Sequence, residues 1–329
     1  MRLSDFDYNL PAELIAQYPL KERSQARLLV LDRKTGKTED SVFRDLGRYL
    51  QPQDLLVLND TKVLPARLIG QRSSGGKVEV LLLSQGAGFE FSCLIRPNRL
   101  KLGERINFNS GKICAELTDR NKIRFFAEDL SQIYSHGVMP LPPYIKRKVT
   151  HEDSADYQTV YARNDGSIAS PTAGLHFTGR LLGKIKDAGV NIAYVTLHIS
   201  YSTFKPVKSE DISRHKMEPE YFEISPESEG LIKNARARGW RIIAVGTTSL
   251  RVLETYAQGK SQGHTDLFIY PGYEFKMAHC LLTNFHLPKT TLFMLACAFA
   301  GEGLLKRAYQ EAIDKKYRFY SYGDAMLII

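Results

Sequence analysis

Along most of the chain, apolar runs of strand length alternate with amphipathic stretches of helical period. This alternation occupies residues 1–62, where a helical opening precedes two strands, and residues 151–329. Strands that alternate with single helices predict a largely parallel or mixed sheet covered by helices. The predicted elements, in chain order, are strands Arg27–Asp32 and Asp54–Asn59, helix Gly179–Asp187, strand Val190–Ile199, helix Glu227–Arg238, strand Trp240–Val245, helix Leu250–Ala257, strand Leu281–Thr283 and helix Leu292–Ala300.

A different pattern occupies residues 63–150. Short segments of alternating apolar and polar residues follow one another closely there, separated by Gly, Asn or Ser pairs. Close spacing with turn residues between the segments predicts a small all-β barrel or sandwich. The predicted strands are Ala66–Gln71, Lys77–Ser84, Phe89–Ile95, Glu104–Asn109, Lys112–Thr118 and Lys122–Ala127. We therefore predict an α/β domain, residues 1–62 and 151–329, interrupted by an inserted small β domain, residues 63–150.

Composition and charge add a candidate partner to this picture. The 329 residues are 43% hydrophobic and 25% charged, which is close to the average for globular proteins. Residues 63–150 contain 14 Lys and Arg and 7 Asp and Glu, so they carry +7 of the total net charge of +9. Such a concentration favours a polyanionic partner and makes the inserted domain a candidate nucleic-acid contact. Ordinary solvent-facing strand charges are the alternative.

The sequence carries no signal for secretion, membrane insertion or metal binding. The N-terminus turns polar at once, and the longest apolar run, Leu292–Ala300, is too short to cross a bilayer. Cys93, Cys114, Cys280 and Cys297 lie far apart, which favours a reducing cytoplasm over a disulfide framework or a zinc site. The eight histidines show no HxH or HExxH spacing, so no catalytic metal is expected.

Polar side chains follow the second predicted strand in the segment Asn59–Arg67 (NDTKVLPAR). Asp60, Thr61, Lys62 and Arg67 there supply a carboxylate, a hydroxyl and two cations. Open α/β sheets bind ligands at the carboxyl ends of their strands. A capped turn would explain the Asn-Asp pair but leaves the two cations unexplained.

The segment Ser170–Thr178 (SPTAGLHFT) precedes a predicted helix. Small residues such as Thr172 and Gly174 allow a loop to wrap closely around a ligand. His176 could exchange a proton near neutral pH, since histidine titrates there. The alternative is a histidine that caps or packs.

The segment Val245–Arg251 (VGTTSLR) runs from a predicted strand into a helix. Thr247, Thr248 and Ser249 lie where free N–H groups and the positive end of the helix converge, which suits a carboxylate or a phosphate. Arg251 would add a forked donor. Simple N-capping by Ser249 is the alternative.

Two further segments carry polar groups late in the chain. Asn284 and His286 lie in the sequence TNFHLP, between a predicted strand and a predicted helix. Tyr317–Leu327 combines aromatic residues with Tyr322 and Asp324. Aromatic residues beside arginine suit base stacking, and they suit an ordinary terminal strand equally well.

Together these segments resemble one family, the S-adenosylmethionine:tRNA ribosyltransferase-isomerases (QueA). The resemblance is collinear over essentially the whole chain. The matching stretches are Phe6–Gln17, Asn59–Gly70, Gly76–Leu83, Tyr157–Ala162, Pro171–Thr178, Val245–Arg251, Pro271–Tyr273, Thr283–Pro288 and Tyr317–Met326.

The resemblance implies a reaction on tRNA. In it, the ribosyl part of S-adenosylmethionine is transferred to 7-aminomethyl-7-deazaguanine at the wobble position and isomerised, giving epoxyqueuosine, while adenine and methionine leave. It also implies an α/β domain with an inserted β domain. We expect no cofactor beyond S-adenosylmethionine as substrate, no metal, no membrane and no obligate protein partner.

Within the matching motifs we expect three kinds of role. Asp60, His176 and His286 are the candidates for proton transfer. We assign the methionine carboxylate to Thr247, Thr248, Ser249 and Arg251. We assign the tRNA phosphates to Lys62, Arg67 and the basic β domain. Further substrate contacts are expected from Thr61, Thr172, Gly174, Asn284, Tyr322 and Asp324.

Some positions depart from the family pattern. Ser200 and Ser202 stand where the family usually has glycines, Glu218 where a histidine is usual, and His279 where an aspartate is frequent. Serine in place of a glycine that needs positive φ or close ligand approach would cost stability or narrow a pocket. Two alternatives therefore stay open: another S-adenosylmethionine-dependent tRNA modification, and a tRNA-binding protein without catalysis.

Overall fold

The structure of the protein, a computed structural model, describes residues 1–204, 207 and 209–329, without the side chains of residues 202 and 204. The expectation for the Ser202 side chain therefore lies outside what the structure describes. The strands are β1 (Arg27–Leu31), β2 (Thr38–Val42), β3 (Leu55–Asn59), β4 (Thr61–Val63), β5 (Arg67–Arg72), β6 (Lys77–Gln85), β7 (Glu90–Arg96), β8 (Arg105–Phe108), β9 (Ile113–Asp119), β10 (Lys122–Phe126), β11 (Gly137–Val138), β12 (Asn164–Ser167), β13 (Asn191–Leu197), β14 (Glu220–Ile224), β15 (Ile242–Val245), β16 (Gln262–Thr265), β17 (Cys280–Asn284) and β18 (Ala325–Ile328).

The α-helices lie mostly in the second half of the chain. They are α1 (Leu130–Ser135), α2 (Asp153–Asp156), α3 (Gly179–Asp187), α4 (Pro226–Ala237), α5 (Gly246–Tyr256), α6 (Thr291–Ala300) and α7 (Glu302–Asp314). Ser225 caps the N-terminus of α4, and Thr178 and Thr290 cap those of α3 and α6. Among the helices that the structure describes, none is both long enough and apolar enough to span a bilayer.

The larger sheet has nine strands in the order β16-β14-β13-β3-β15-β17-β18-β1-β2. Its central neighbours β13, β3, β15 and β17 run parallel, and β14, β16 and β2 add antiparallel edges. All residues of β3, β15 and β17 are buried, as expected for strands covered on both faces. Helices α4 to α7 pack on one face, and α3 packs on the other with the turns around Phe43 and Phe177.

The second sheet is a closed barrel. Its strands follow the order β11-β5-β6-β7-β10-β9-β8, and pairing of β5 with β8 joins its ends. Alternate residues point inward and form a separate apolar core. At Gly70 of β5 an added Cβ would come within 2.7 Å of the side chains of Ile106 and Phe108, so a larger residue there would displace them where the barrel closes.

Two features tie the barrel part of the chain to the rest. Strands β4 and β12, which lie on either side of the barrel in sequence, pair in parallel as a two-stranded ribbon. Beyond the barrel, Met139, Leu141 and Tyr157 pack with Ala16 and Tyr322 in a small apolar cluster. Residues that precede and follow the barrel are therefore in direct contact.

The predicted fold class, a mixed sheet with flanking helices and a small antiparallel barrel, is confirmed. All six predicted barrel strands are present within a few residues of their predicted bounds. The domain boundaries at residues 62/63 and 150/151 stay a prediction.

Three elements differ from the prediction. The helical opening consists only of short 3-10 turns, interrupted by Pro11 and Pro19. The helix predicted from Leu250 begins at Gly246, whose φ of +87° turns the chain directly from β15 into α5. The C-terminal helix α7 is absent from the predicted elements, although Leu305, Ala308 and Ala312 form its buried stripe.

Candidate functional site

The carboxyl ends of the parallel strands meet at one edge of the large sheet, and Asn59 fastens them together. Its Nδ2 donates to the Leu197 carbonyl at 3.0 Å and to Thr248 Oγ1 at 3.1 Å. Its Oδ1 accepts from the backbone N–H groups of Thr61 and Leu197. One buried amide thus links β3, β13 and the first turn of α5.

A small pocket opens at this edge between β15, β17 and the loop before α3, and we call it the inner pocket. It brings together five residues that the sequence singled out, along with small and apolar neighbours. They are Thr172, Thr247, Thr248, Asn284 and His286. Ser170 also lines it, and its hydroxyl is buried without a hydrogen-bond partner among the described residues.

A short chain of hydrogen bonds fixes the Asn284 side chain in the inner pocket. Thr172 Oγ1 donates to Asn284 Oδ1 at 2.9 Å. Asn284 Nδ2 lies 3.2 Å from His176 Nε2, which therefore accepts. Burial lowers the pKa of His176 to about 4, and a hydrogen bond to the backbone of Arg23 only partly opposes this. At neutral pH the His176 ring is neutral and orients Asn284.

His286 lines the inner pocket directly. Its Nε2 lies 2.9 Å from Thr283 Oγ1, and its backbone N–H donates to the Tyr309 hydroxyl at 3.0 Å. Burial lowers the pKa of His286 to about 3. Its ring is therefore also neutral near pH 7. Thr283 contacts the ring and Tyr309 accepts from the backbone N–H, so His286 is held in place as it faces the pocket.

The first turn of α5 forms another wall of the inner pocket. Thr247 and Thr248 lie within the helix rather than before it, because α5 begins at Gly246. No side chain of the described residues caps this end, so its free N–H groups and partial positive charge lie at the pocket. Ser249, one residue on, is fully buried, and its hydroxyl has no partner in the part of the chain that the structure describes.

The guanidinium of Arg251 is bound by other groups of the protein. It forms a buried ion pair with Glu220 of β14, and its Nε donates to the Leu267 carbonyl at 3.0 Å. Glu220 in turn accepts from the backbone N–H of Ser200 at 2.8 Å and from Thr203 Oγ1 at 3.1 Å. This pair therefore ties α5 to β14 and to the loop after β13.

Asp60 and Thr61 belong to a second group of polar side chains. Asp60 Oδ1 accepts from Thr196 Oγ1 at 2.7 Å and from Asn164 Nδ2 at 3.1 Å. Thr61 Oγ1 lies 2.8 Å from His198 Nδ1. Asp60 is buried and does not line the inner pocket, so the three predicted proton-transfer residues do not share one cavity.

This second group lies beside a cleft of about 930 Å³ between the barrel and the edge of the large sheet, which we call the large cleft. Opposite the barrel, the cleft is lined by Lys62 and Asp165 of the β4–β12 ribbon and by His198, Tyr221 and His264 at the edge of the large sheet. The barrel side includes Ser84, Gln85, Ser131 and Tyr134. Ile199 lines both the large cleft and the inner pocket, so the two cavities adjoin.

Four further predicted site residues lie outside both cavities and have local partners. Arg67 pairs with Glu79 at 3.4 Å and donates to the Leu141 carbonyl. Asp324 accepts from the backbone N–H groups of Arg27 and Arg318, and burial raises its pKa. The Tyr322 hydroxyl donates to Asp153 at 3.1 Å, and an added Cβ at Gly174 would lie 2.0 Å from the Tyr161 hydroxyl.

Of the positions that depart from the family pattern, His279 lies away from the site. It precedes β17 at the amino end of the strand, where its Nδ1 accepts from the Ile242 N–H at 3.1 Å. Ser200 lines the large cleft and does not have a positive φ. The strain expected of a serine there is therefore absent at position 200.

Sequence reasoning missed several residues of the large cleft. His198 stands at the carboxyl end of the predicted strand Val190–Ile199, so strand position alone could have marked it. Asp165 and Tyr221 carry no such local signal. Among the described residues, His, Cys, Asp and Glu form no group of three or more placed to hold a metal ion.

The chain is similar to known proteins along its whole length. A family model described as queuosine biosynthesis protein matches residues 3–328. The proteins named S-adenosylmethionine:tRNA ribosyltransferase-isomerase from Desulforamulus reducens and Staphylococcus epidermidis are 50% and 49% identical to it, and each match covers 100% of both chains. The crystal structure of S-adenosylmethionine tRNA ribosyltransferase from Thermotoga maritima matches with a TM-score of 0.58 and 37% identity, over 99% of this chain and 100% of that chain. The chain therefore belongs to the queuosine biosynthesis protein family.

Proposed function

We propose that this protein transfers the ribosyl part of S-adenosylmethionine to 7-aminomethyl-7-deazaguanine in tRNA and isomerises it, so that epoxyqueuosine forms and adenine and methionine leave. The observation that carries the proposal is the full-length match, at about 50% identity, to relatives named S-adenosylmethionine:tRNA ribosyltransferase-isomerase. The reaction belongs in the cytoplasm, where its tRNA substrate is.

In this proposal S-adenosylmethionine enters the inner pocket from the adjoining large cleft, because the inner pocket alone, at about 50 Å³, is too small for the whole molecule. Thr247, Thr248 and the free N–H groups at the start of α5 hold the methionine carboxylate, because a helix N-terminus favours an anion. Asn284, fixed by Thr172, offers an amide to the ribose or the base. Arg251 supports the helix from behind through Glu220, and Ser249 lies buried beside it.

The reaction needs a base for the acidic proton beside the sulfonium and a proton donor for departing adenine. Asp60 lies between residues that reach each cavity: Asn59 before it contacts Thr248 of the inner pocket, and Thr61 after it contacts His198 of the large cleft. We assign proton removal to Asp60. His286 faces the inner pocket and is placed to exchange a proton there, whereas His176 acts by orienting Asn284.

The tRNA approaches from the large cleft, and its wobble base enters there. An opening of about 930 Å³ that adjoins the inner pocket can admit an unstacked nucleotide. Lys62, about half exposed at the cleft, and the basic barrel hold phosphates. Both cations have a carboxylate partner, but Arg67 contributes less to phosphate binding because its side chain is less exposed than that of Lys62, 26% against 46%.

The test is incubation of the purified protein with S-adenosylmethionine and tRNA that carries the aminomethyl-deazaguanine base. We expect release of adenine and a nucleoside mass gain that matches ribosyl transfer and isomerisation. The matched control is the same tRNA with guanine at the wobble position, which lacks the attacking amine. Tight tRNA binding without adenine release would instead indicate a binding protein, and a different mass gain would indicate another modification.

A further inference from the structure

Three aromatic rings stand in a row across the edge of the large sheet. His264, Tyr221 and His198 lie on β16 and β14 and directly after β13, three neighbouring elements. The rings of His198 and Tyr221 are stacked, with centroids 5.6 Å apart and planes 22° apart, and the His264 ring lies 5.8 Å from Tyr221 at 75°. We call these three residues the ring row.

The ring row faces the large cleft and not a hydrophobic core. All three residues line the cleft, and Tyr221 belongs to none of the apolar clusters formed by the described residues. His198 and Tyr221 are half-buried and His264 is exposed, so solvent reaches their surfaces. An aromatic wall on the surface of a cleft is available to a flat ligand.

The position of the rings is fixed before any ligand arrives. The Tyr221 hydroxyl donates to Glu223 at 3.0 Å, and His198 Nδ1 lies 2.8 Å from Thr61 Oγ1. The His198 backbone N–H donates to the Tyr221 carbonyl at 2.9 Å. A wall held in this way loses little conformational freedom on binding.

Charged groups of both signs stand in the same cleft. Lys62 Nζ lies 3.2 Å from the Asp165 carboxylate, and both side chains are about half exposed. Tyr134 and Asp165 both line the cleft, and burial together with the charge of Asp165 raises the pKa of Tyr134. Asp165 can therefore receive a cationic amine, and Lys62 a phosphate.

We propose that the ring row is a stacking wall for an unpaired base of the tRNA anticodon loop. This inference rests on the proposed function for the identity of the RNA. An ordinary set of cross-strand ring pairs is the simpler explanation. Cross-strand ring pairing alone does not account for a cleft of this size beside the rings or for the ion pair within the cleft. Stacking on aromatic side chains is a usual way in which proteins hold unpaired bases.

The test uses an anticodon stem-loop RNA with 2-aminopurine in the loop, because stacking quenches its fluorescence. Tyr221→Leu should weaken binding of this RNA by roughly tenfold or more and abolish the quenching. Tyr221→Phe keeps the ring and should retain both. The affinity for S-adenosylmethionine, measured by calorimetry, should change in neither variant.

The matched control is Tyr256→Leu. Tyr256 is also half-buried and also donates its hydroxyl to a glutamate, Glu229, at 3.0 Å, but it does not line the large cleft. Tyr256→Leu should leave RNA affinity and quenching as they are, and thermal unfolding of each variant identifies any that fail to fold.

The outcomes separate the two proposals. If Tyr221→Leu binds and quenches the RNA like the wild-type protein, or if the wild-type protein itself causes no quenching, the stacking wall is wrong. If quenching depends on Tyr221 but the wild-type protein releases no adenine from S-adenosylmethionine and substrate tRNA, the wall stands and the proposed reaction fails.

Discussion

Two histidines are kept neutral by burial, His286 at the inner pocket and His176 next to Asn284, and this makes stability depend on pH. The pKa values of His176 and His286 are lowered to about 4 and about 3. Between those values and the ordinary pKa near 6.5, the unfolded chain binds protons that the folded chain does not. Stability is therefore fully present above about pH 6.5 and is lost as the pH falls.

We predict that His286→Gln removes part of this dependence. Between pH 7 and pH 5, protonation of each of the two histidines in the unfolded chain should lower the free energy of unfolding by roughly 2 kcal/mol. Urea denaturation at both pH values should show a correspondingly smaller loss in the variant than in the wild-type protein. His151→Gln serves as the control, because His151 is exposed. Equal losses in all three proteins would contradict the prediction.

A second residue-scale prediction concerns Gly174. An alanine Cβ there would lie 2.0 Å from the Tyr161 hydroxyl, so Gly174→Ala should cost about 1–3 kcal/mol of stability through overpacking. The Tyr161 hydroxyl has no hydrogen-bond partner among the described residues, so Tyr161→Phe alone should cost less. The double variant should recover part of the loss, as measured by chemical denaturation. Additive costs would show that the clash lies elsewhere.

At the scale of elements, the buried pair Arg251–Glu220 joins α5 to β14 and to the loop after β13. We predict that Glu220→Leu destabilises the protein by roughly 3–5 kcal/mol, because it leaves a buried guanidinium without its counter-charge. Adding Arg251→Met should restore much of this, and urea unfolding measures both effects.

The same double variant separates two roles of Arg251. If the guanidinium only supports the helix, a stable double variant keeps its affinity for S-adenosylmethionine, as measured by calorimetry. A tenfold or larger loss of that affinity in a well-folded double variant would return Arg251 to the set of carboxylate ligands that its sequence position suggested.

The elements differ in how far the sequence predicts them. The barrel strands follow from alternation, because one face of each is buried and the other is solvated. The edge strand β16, with the sequence QGHT, has no such pattern, because its place is set by pairing with β14. The predicted start of α5 is wrong, because three hydroxyl residues resemble a capping loop until the positive φ of Gly246 is known.

The residues of the candidate site also differ in how far the sequence predicts them. Residues of the inner pocket follow from their positions after strands, because parallel strands end at one edge. The partners in the large cleft, such as Thr61 with His198 or Tyr221 with His264, depend on contacts between segments far apart in sequence. No local pattern encodes which of these segments become neighbours. The family resemblance, which is confirmed, identified the chain but not these contacts.

At the scale of the whole molecule, residues 63–150 hold +7 of the net charge of +9. We predict that Lys101→Gln and Arg105→Gln, both on exposed barrel positions, weaken tRNA binding and reduce its dependence on salt. For each phosphate that the variant no longer neutralises, the slope of log affinity against log salt should fall by about 1. Filter binding at several salt concentrations measures this slope.

The control for that measurement is Lys186→Gln. Lys186 is an exposed cation in the last turn of α3, outside the barrel. Its replacement changes the total charge equally, so it shows how much of the effect is due to net charge alone. Identical slopes for the barrel variants and for Lys186→Gln would rule out direct phosphate contacts at Lys101 and Arg105.

The pairing of β4 with β12 means that the chain leaves for the barrel and returns from it at neighbouring points, about 5 Å apart. The ribbon therefore holds the two ends of the barrel segment together, and the length of that segment adds little to the entropic cost of joining its ends. Such a segment can behave as an inserted unit. A break in the chain at the exposed turn Gly75–Gly76 would therefore leave both strands of the ribbon intact.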